Sequence, residues 1–143
     1  MAANEGEEEL LLGAQARKEE GFTASVSQYV RAMDPTVWHK VAAFSGMAAV
    51  GLGTYGSHMY KPKNPVYKEV YNTAALYHLM HTAALVAAPV AKHPHVFGGL
   101  LSFGIFAFSG TCYTVAILEN RKYAFLAPFG GASFLAAWAS LLF

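Results

Sequence analysis

Four stretches of this 143-residue chain contain no Asp, Glu, Lys or Arg: residues 41–60, 70–91, 93–118 and 123–143. Each is at least twenty residues long. About twenty apolar helical residues, rising about 1.5 Å each, cross a hydrocarbon core roughly 30 Å thick. A helix of a water-soluble domain keeps one polar face, and these stretches have none of the charge that such a face carries. Charged residues make up 13% of the chain, against about 25% in ordinary soluble domains.

Other absences narrow the reading further. Cys112 is the single cysteine and lies inside an apolar stretch, so no intrachain disulfide forms and the thiol reads as buried and inert. Basic residues never cluster on a face with interleaved aromatics, which excludes a nucleic-acid surface. The first nine residues hold Glu5, Glu7, Glu8 and Glu9 and no base. Neither a secretory signal nor a mitochondrial presequence starts that way, so any organellar address is expected to be internal. No G-x-S-x-G elbow appears, and no acid lies at depth to pair with a base, so no catalytic group is evident and no enzyme is expected.

The remaining charge is unevenly placed. Residues 1–40 carry seven acids and four bases, and residues 41–143 carry two acids and six bases. The later charges all fall in short connections, where bases meet anionic headgroups. The fold class is therefore all-α: a polytopic membrane protein, an antiparallel four-helix transmembrane bundle with a short N-terminal arm. Residues 1–33 form a soluble, partly helical arm. Residues 34–143 form the membrane domain, with spans at about 37–58, 70–91, 96–118 and 124–142. In the arm, Met1 to Glu9 are expected to be mobile and Leu10 to Leu12 form an apolar patch. Phe22, Val26, Tyr29, Val30 and Met33 recur at helical spacing, as in a short amphipathic helix lying on a membrane or a partner, or in a helix-prone tail.

Asp34-Pro35 and Asn64-Pro65 both read as an N-cap followed by a first-turn proline. Pro128 is expected to start or kink the last span. Ser45, Ala49, Gly53 and Ser57 are small and spaced by four, as are Ala132, Ala136 and Ser140. The third span adds Gly98, Gly99, Ser102, Gly104, Ser109 and Gly110, and the fourth Gly130 and Gly131. Small residues let helices approach closely in lipid. Lys61, Lys63, Lys68, Arg121 and Lys122 outnumber the bases on the other side, which places that side toward cytoplasm or matrix. Trp38 with Tyr55, Tyr60, Tyr67, Tyr71 and Tyr77 reads as an aromatic belt at the membrane boundary.

Gly51-Leu52-Gly53-Thr54-Tyr55-Gly56 matches the dinucleotide fingerprint by letter, but it lies inside a charge-free helix rather than after a strand, so close packing explains the glycines. His58, His78 and His81 are the candidate site residues. His78 and His81 stand at i, i+3 and share a face. Three readings stand. Each imidazole is satisfied by Tyr, Ser, Thr or backbone partners and sets helix register; His58 with His78 or His81 holds a metal or haem; or the imidazoles relay protons or line a substrate path.

The motifs Gly53-Thr54-Tyr55-Gly56-Ser57-His58, Ala74-Ala75-Leu76-Tyr77-His78-Leu79-Met80-His81, Phe108-Ser109-Gly110-Thr111-Cys112-Tyr113 and Ala127-Pro128-Phe129-Gly130-Gly131 occur in this order. Over residues 38–143 the chain resembles a small four-helix membrane family typified by transmembrane protein 256, with bacterial inner-membrane relatives. The acidic arm departs from that pattern. The resemblance implies a multi-pass protein of the mitochondrial inner membrane and brings no activity with it. The expected role is an accessory subunit packing within a larger inner-membrane assembly, such as a respiratory complex. It would have no cofactor, would bind membrane lipids and would contact other subunits through residues 1–33. The alternative is a small transporter or a ligand- or haem-binding membrane protein using the histidines.

Overall fold

The computed structural model describes the backbone of residues 2–32 and 34–143, and side chains at 10–28 and 34–143. Met33 and the side chains of Tyr29 and Val30, expected on the apolar stripe of the arm, lie outside the described residues. The described chain is helical throughout and contains no strand. It divides into two units, Met1–Asp34 and Pro35–Phe143.

The first unit is one helix, α1, Ala2–Ala32. It is longer than the partial helix expected, because Gly13 and Gly21 sit in open surroundings and cost only propensity. Thr23, Ser25 and Ser27 return their hydroxyls to carbonyls three or four residues back, which keeps them compatible with a helix. Leu11, Phe22 and Val26 are all exposed. They fall within about 60° of one another around the helix axis.

In the second unit, α2 runs Val37–His58 and α3 Pro65–Val86. Asn64 caps α3, its side chain accepting from the Val66 N–H at 3.0 Å with Pro65 in the first turn. The equivalent start at Asp34-Pro35 differs from expectation. The helix begins at Val37 with Thr36 at the cap position and no side-chain capping bond, because residues 35–36 form a turn. A 3-10 turn, Ala88–Val90, ends the α3 rod. Next come α4, Pro94–Gly104, a π-helical stretch, Ile105–Gly110, and α5, Thr111–Leu118, in continuous succession. Glu119, at φ 49°, ends α5. Its carboxylate then accepts from the Lys63 and Asn64 N–H groups at 3.0 and 3.3 Å, tying together the connections that follow α2 and α5. A 3-10 stretch, Arg121–Leu126, leads into α6, Ala127–Ser140, which Pro128 starts rather than kinks.

By length and composition, one helical stretch among the described residues suffices to cross a membrane: Pro94–Leu118, 25 residues with mean hydropathy 1.7. The four spans expected are not all of this kind. Helix α3 opens with Lys68 and Glu69 inside it, and α6 has 14 residues behind a 3-10 lead.

Helix α3 is central, packing against α2 on one side and against α4, the π stretch and α5 on the other; α6 closes over α4 and the π stretch. One core joins Ala42, Leu85, Phe97, Leu101 and Phe134. A second joins Tyr60, Tyr71, Ala74, Tyr113 and Ala116. Tyr71 stacks on Tyr60 at 4.7 Å and meets Tyr113 edge-on at 4.9 Å. Tyr60 and Tyr71 are therefore stacking residues of the interior, their rings turned away from the outer surface.

Small residues admit these rings. Gly98 faces the Trp38 indole, Gly104 the Phe134 ring and Gly56 the Tyr71 ring, each so closely that a Cβ would overlap. Gly130 is as close and less forgiving, because there the neighbour is the Phe108 backbone. Of the packing residues expected, Ala49 is buried and Ser45 half-buried against α3, whereas Ser57 is exposed and a Cβ at Gly53 or Gly110 would touch nothing. Gly131 makes ordinary contact with Phe108. The row that α2 buries is Ala42, Ala49 and Gly56; that of α6 is Gly130, Ser133 and Ala137, while Ala132 and Ala136 point outward.

Gly130→Ala should lower stability by about 1–3 kcal/mol, the cost of overpacking against an immovable neighbour. Gly53→Ala should leave it unchanged or raise it by up to about 1 kcal/mol through helix propensity. Unfolding midpoints in detergent micelles measure both; equal effects would contradict the packing described.

Candidate functional site

The polar interior lies where α2, α3, α5 and α6 meet. His78 and His81 project inward because they share one face of α3, and both are buried. Thr82 extends that face one turn beyond His78 and is buried with it. From α2, the Ser45 hydroxyl lies 3.1 Å from His78 Nε2 and 2.6 Å from Thr82 Oγ1. From α5, the Tyr113 hydroxyl lies 3.5 Å from His78 Nδ1. One side chain of α3 is thus bracketed by hydroxyls of two neighbouring helices.

The partners of His81 determine its tautomer. Its Nδ1 lies 2.8 Å from the Tyr77 carbonyl, which only accepts, so Nδ1 carries the proton. Its Nε2 receives the Trp138 indole N–H of α6 at 3.4 Å, so Nε2 supplies its lone pair. The neutral ring stacks on Phe134 at 3.5 Å, nearly parallel. Both ring nitrogens are committed within the bundle.

His58 is placed elsewhere. It ends α2 and is exposed. Thirteen residues separate it from Ser45, the residue facing His78, or about 20 Å along the helix. The structure therefore brings His78 and His81 together and leaves His58 apart, so the three do not form a joint metal or haem site. Among the described residues no group of three or more His, Cys, Asp or Glu is arranged to hold a metal ion. Ser45, Ala49 and Gly130 line helix contacts, and Gly53, Ser57, Gly110 and Gly131 face looser or open surroundings within this chain.

Several residues of the cluster were not singled out from the sequence. Thr82 had a signal, standing four residues after His78. Tyr113, which closes the third motif, and Trp138 carry no sequence sign of contact with the histidines, since their approach depends on how α5 and α6 dock. A further pair, Ser102 of α4 and Ser109 of the π stretch, holds buried hydroxyl oxygens without hydrogen-bond partners.

Near one end of the unit, Lys68 reaches back from α3 and donates to the Gly56 carbonyl and, at 3.0 Å, to the Tyr60 carbonyl. A cation there satisfies carbonyls at the end of α2. The Tyr60 hydroxyl donates to the Ala116 carbonyl at 2.5 Å. Burial first, and the Glu119 carboxylate second, push that hydroxyl above the ordinary tyrosine range, so it stays a neutral donor.

Helices that face outward with apolar side chains and gather their polar groups within define the class: a helical membrane protein. Residues 52–131 match the family described as "Protein of unknown function (DUF423)". The chain also matches a UPF0382 membrane protein of Schizosaccharomyces pombe, 36% identical over 117 residues, covering 75% of this chain and 98% of that protein. The UPF0382 inner membrane protein YgdD of Escherichia coli is 35% identical over 108 residues, covering 71% of this chain and 82% of that protein. A UPF0382 membrane protein of Staphylococcus saprophyticus is 32% identical over 108 residues, covering 71% and 90%. The chain belongs to this DUF423/UPF0382 family of membrane proteins. No solved structure matches it.

Ser45→Ala should destabilise the protein by about 1–3 kcal/mol, because it strips a partner from His78 and from Thr82 in a buried setting. Ser57→Ala should change stability by less than about 0.5 kcal/mol, since Ser57 only returns its hydroxyl to the Gly53 carbonyl. Denaturation in micelles checks the pair; indifference at Ser45 would contradict the cross-helix role.

Proposed function

We propose that this protein is an accessory subunit of a larger inner-membrane assembly, in mitochondria, and performs no catalysis of its own. In this reading α2, α3, the α4–α5 rod and α6 with its 3-10 lead form an antiparallel four-helix bundle in lipid, and α1 docks on a neighbouring subunit.

The observation that carries the reading is the inverted distribution of side chains in the second unit. Phe44, Met47, Leu76, Phe103, Phe106 and Leu135 are each more than half exposed, while His78, His81, Thr82, Ser109 and Ser133 are buried. Water would penalise that outer surface; lipid accepts it, and His78, His81, Thr82 and Ser133 find partners inside. The inner-membrane naming of the bacterial relative supports the same setting. For the accessory role, the side of α2 that carries half-buried Gly53, where a Cβ would touch nothing, and exposed Ser57 offers a face that another helix can approach closely. About a quarter of this chain has no counterpart in the fission-yeast relative, and α1 presents Leu11, Phe22 and Val26 uncovered. The histidines fit an architectural part in this scheme, each holding neighbouring helices in register.

Two measurements test the proposal. Alkaline carbonate washing should leave the protein in the membrane pellet; release without detergent sinks the four-span reading. After gentle detergent extraction, the full chain should migrate in a large complex on a native gel, and deletion of residues 1–33 should weaken that association about tenfold, equivalent to about 1.4 kcal/mol, without reducing insertion. Migration as a free small particle, or unchanged partners after truncation, overturns the accessory role.

A further inference from the structure

We propose that the groove between α5, the π stretch and the 3-10 stretch Arg121–Leu126 seats one anionic phospholipid, with an acyl chain along Phe106 and Phe125, an ester carbonyl on Thr111 and the phosphate on Lys122 and Arg121. The inference rests on the placement of these helices in lipid, and not on the accessory role.

The groove holds about 300 Å³. Gly110, Thr111 and Thr114 of the rod line one side of it, and Tyr123, Phe125 and Leu126 the other. Gly110 leaves the trough open, since a Cβ there would meet nothing within 4 Å. Phe106 and Phe125 are both more than two-thirds exposed, so in the membrane reading the groove opens sideways onto acyl chains. Walls of this kind select hydrocarbon.

One group in the groove calls for more than hydrocarbon. Thr111 is more than nine-tenths buried, lines the groove and makes no hydrogen bond with its hydroxyl. That hydroxyl is not sealed as those of Ser102 and Ser109 are, so its remaining surface opens into the groove. Thr114, by contrast, donates to the Gly110 carbonyl at 2.9 Å and is satisfied. An unpaired hydroxyl in lipid is costly, and a carbonyl brought by the occupant removes that cost. Thr111 lies about 10 Å along the rod from Leu118, against a headgroup layer about 5–8 Å deep on each side of a bilayer. The ester carbonyls of a phospholipid sit where that layer meets hydrocarbon, and a plain hydrocarbon brings none.

Charge fixes the headgroup. Side chains three apart eclipse in a 3-10 helix, so Lys122 stands one turn, about 6 Å, above Phe125, and Tyr123 stands likewise above Leu126. Arg121 adds a second cation beside Lys122. Both are exposed, and among the described residues neither has a carboxylate partner. Residues 35–143 hold two acids, Glu69 and Glu119. Glu119, the nearer in sequence, commits its carboxylate to the Lys63 and Asn64 N–H groups. Cations elsewhere in the unit are engaged: Lys68 with the Gly56 and Tyr60 carbonyls, Lys92 with that of Phe143. A phosphate diester therefore meets two uncommitted positive charges at the mouth of this groove. A zwitterionic headgroup sets its own ammonium against them and fits less well.

The full chain is placed in phosphatidylcholine nanodiscs with a trace of phosphatidylglycerol carrying a diazirine in one acyl chain, and adducts are mapped by peptide mass spectrometry. Adducts are expected within residues 106–114 and 123–126, and phosphatidylcholine bearing the same group should label there about tenfold less. Arg121→Gln with Lys122→Gln should remove that preference. Lys61→Gln with Lys63→Gln, which takes the same charge from the neighbouring connection, should keep it. Thr111→Val should weaken labelling about fivefold, the loss of one hydrogen bond, and Thr111→Ser should restore it. Gly110→Leu, which fills the trough, should abolish labelling by both lipids, with helix content by circular dichroism unchanged in every variant. Equal labelling by the two lipids, equal loss of preference in the two double variants, or full labelling in Thr111→Val or Gly110→Leu overturns the site. So does displacement by palmitate as effective as that by unlabelled phosphatidylglycerol. Nanodisc incorporation and carbonate retention are scored separately, so loss of the site is distinguished from loss of the membrane reading.

Discussion

Polar side chains inside an apolar bundle must find their partners within it, and the second unit is organised around that demand. His78 bonds to Ser45 of α2 and faces Tyr113 of α5; His81 bonds to Trp138 of α6. In water each of these contacts would exchange with solvent and contribute little. Surrounded by hydrocarbon, each has no substitute, so displacing a helix leaves an unpaired donor or acceptor. Three neighbours of α3 are thereby fixed in rotation and in height by two side chains one turn apart. Apolar packing alone, which tolerates sliding, does not specify register so sharply.

Close approach of the helices supplies the second constraint. The rings that fill the interior lie against glycine. Phe134 lies over Gly104, Trp38 over Gly98 and Tyr71 over Gly56. Large flat side chains and missing side chains are used as complementary halves, which brings backbones near enough for the polar bonds to form. The two devices depend on one another: without the glycines His81 and Trp138 stand too far apart, and without the bonds the rings have several acceptable seats.

Much of this was legible in the sequence, and the failures have physical causes. Charge-free stretches located the rods, and the cap-then-proline rule placed the start of α3 at Pro65 because Asn64 has a free acceptor for the Val66 N–H. The same rule misplaced the start of α2, where a turn intervenes. The row read on α2 stepped by four. On a helix of 3.6 residues per turn each such step drifts about 40°, so by Ser57 the row has swung about 120° from Ser45. The face actually buried steps by seven, through Ala42, Ala49 and Gly56. Pairing of the histidines on α3 was visible from their spacing. Their partners were not, since Tyr113 and Trp138 reach them only through tertiary docking. The joint use of His58 failed for a related reason: proximity in sequence to the second span says nothing about distance along the first.

The π-helical turn at Ile105–Gly110 lies between the half of the rod that packs on α6 and the half that carries Tyr113. A π turn holds one residue more than the α-turns around it. Removing that extra residue would restore an ordinary α-turn and leave everything downstream near its present rotation, whereas removing one from the α-turns on either side would shorten the rod by only about 1.5 Å yet swivel the rest by about 100°. In the second case Tyr113 would look away from His78 while the overall length stayed nearly the same. The π turn is therefore the one place in this rod where loss of a single codon leaves the interior polar connections in place.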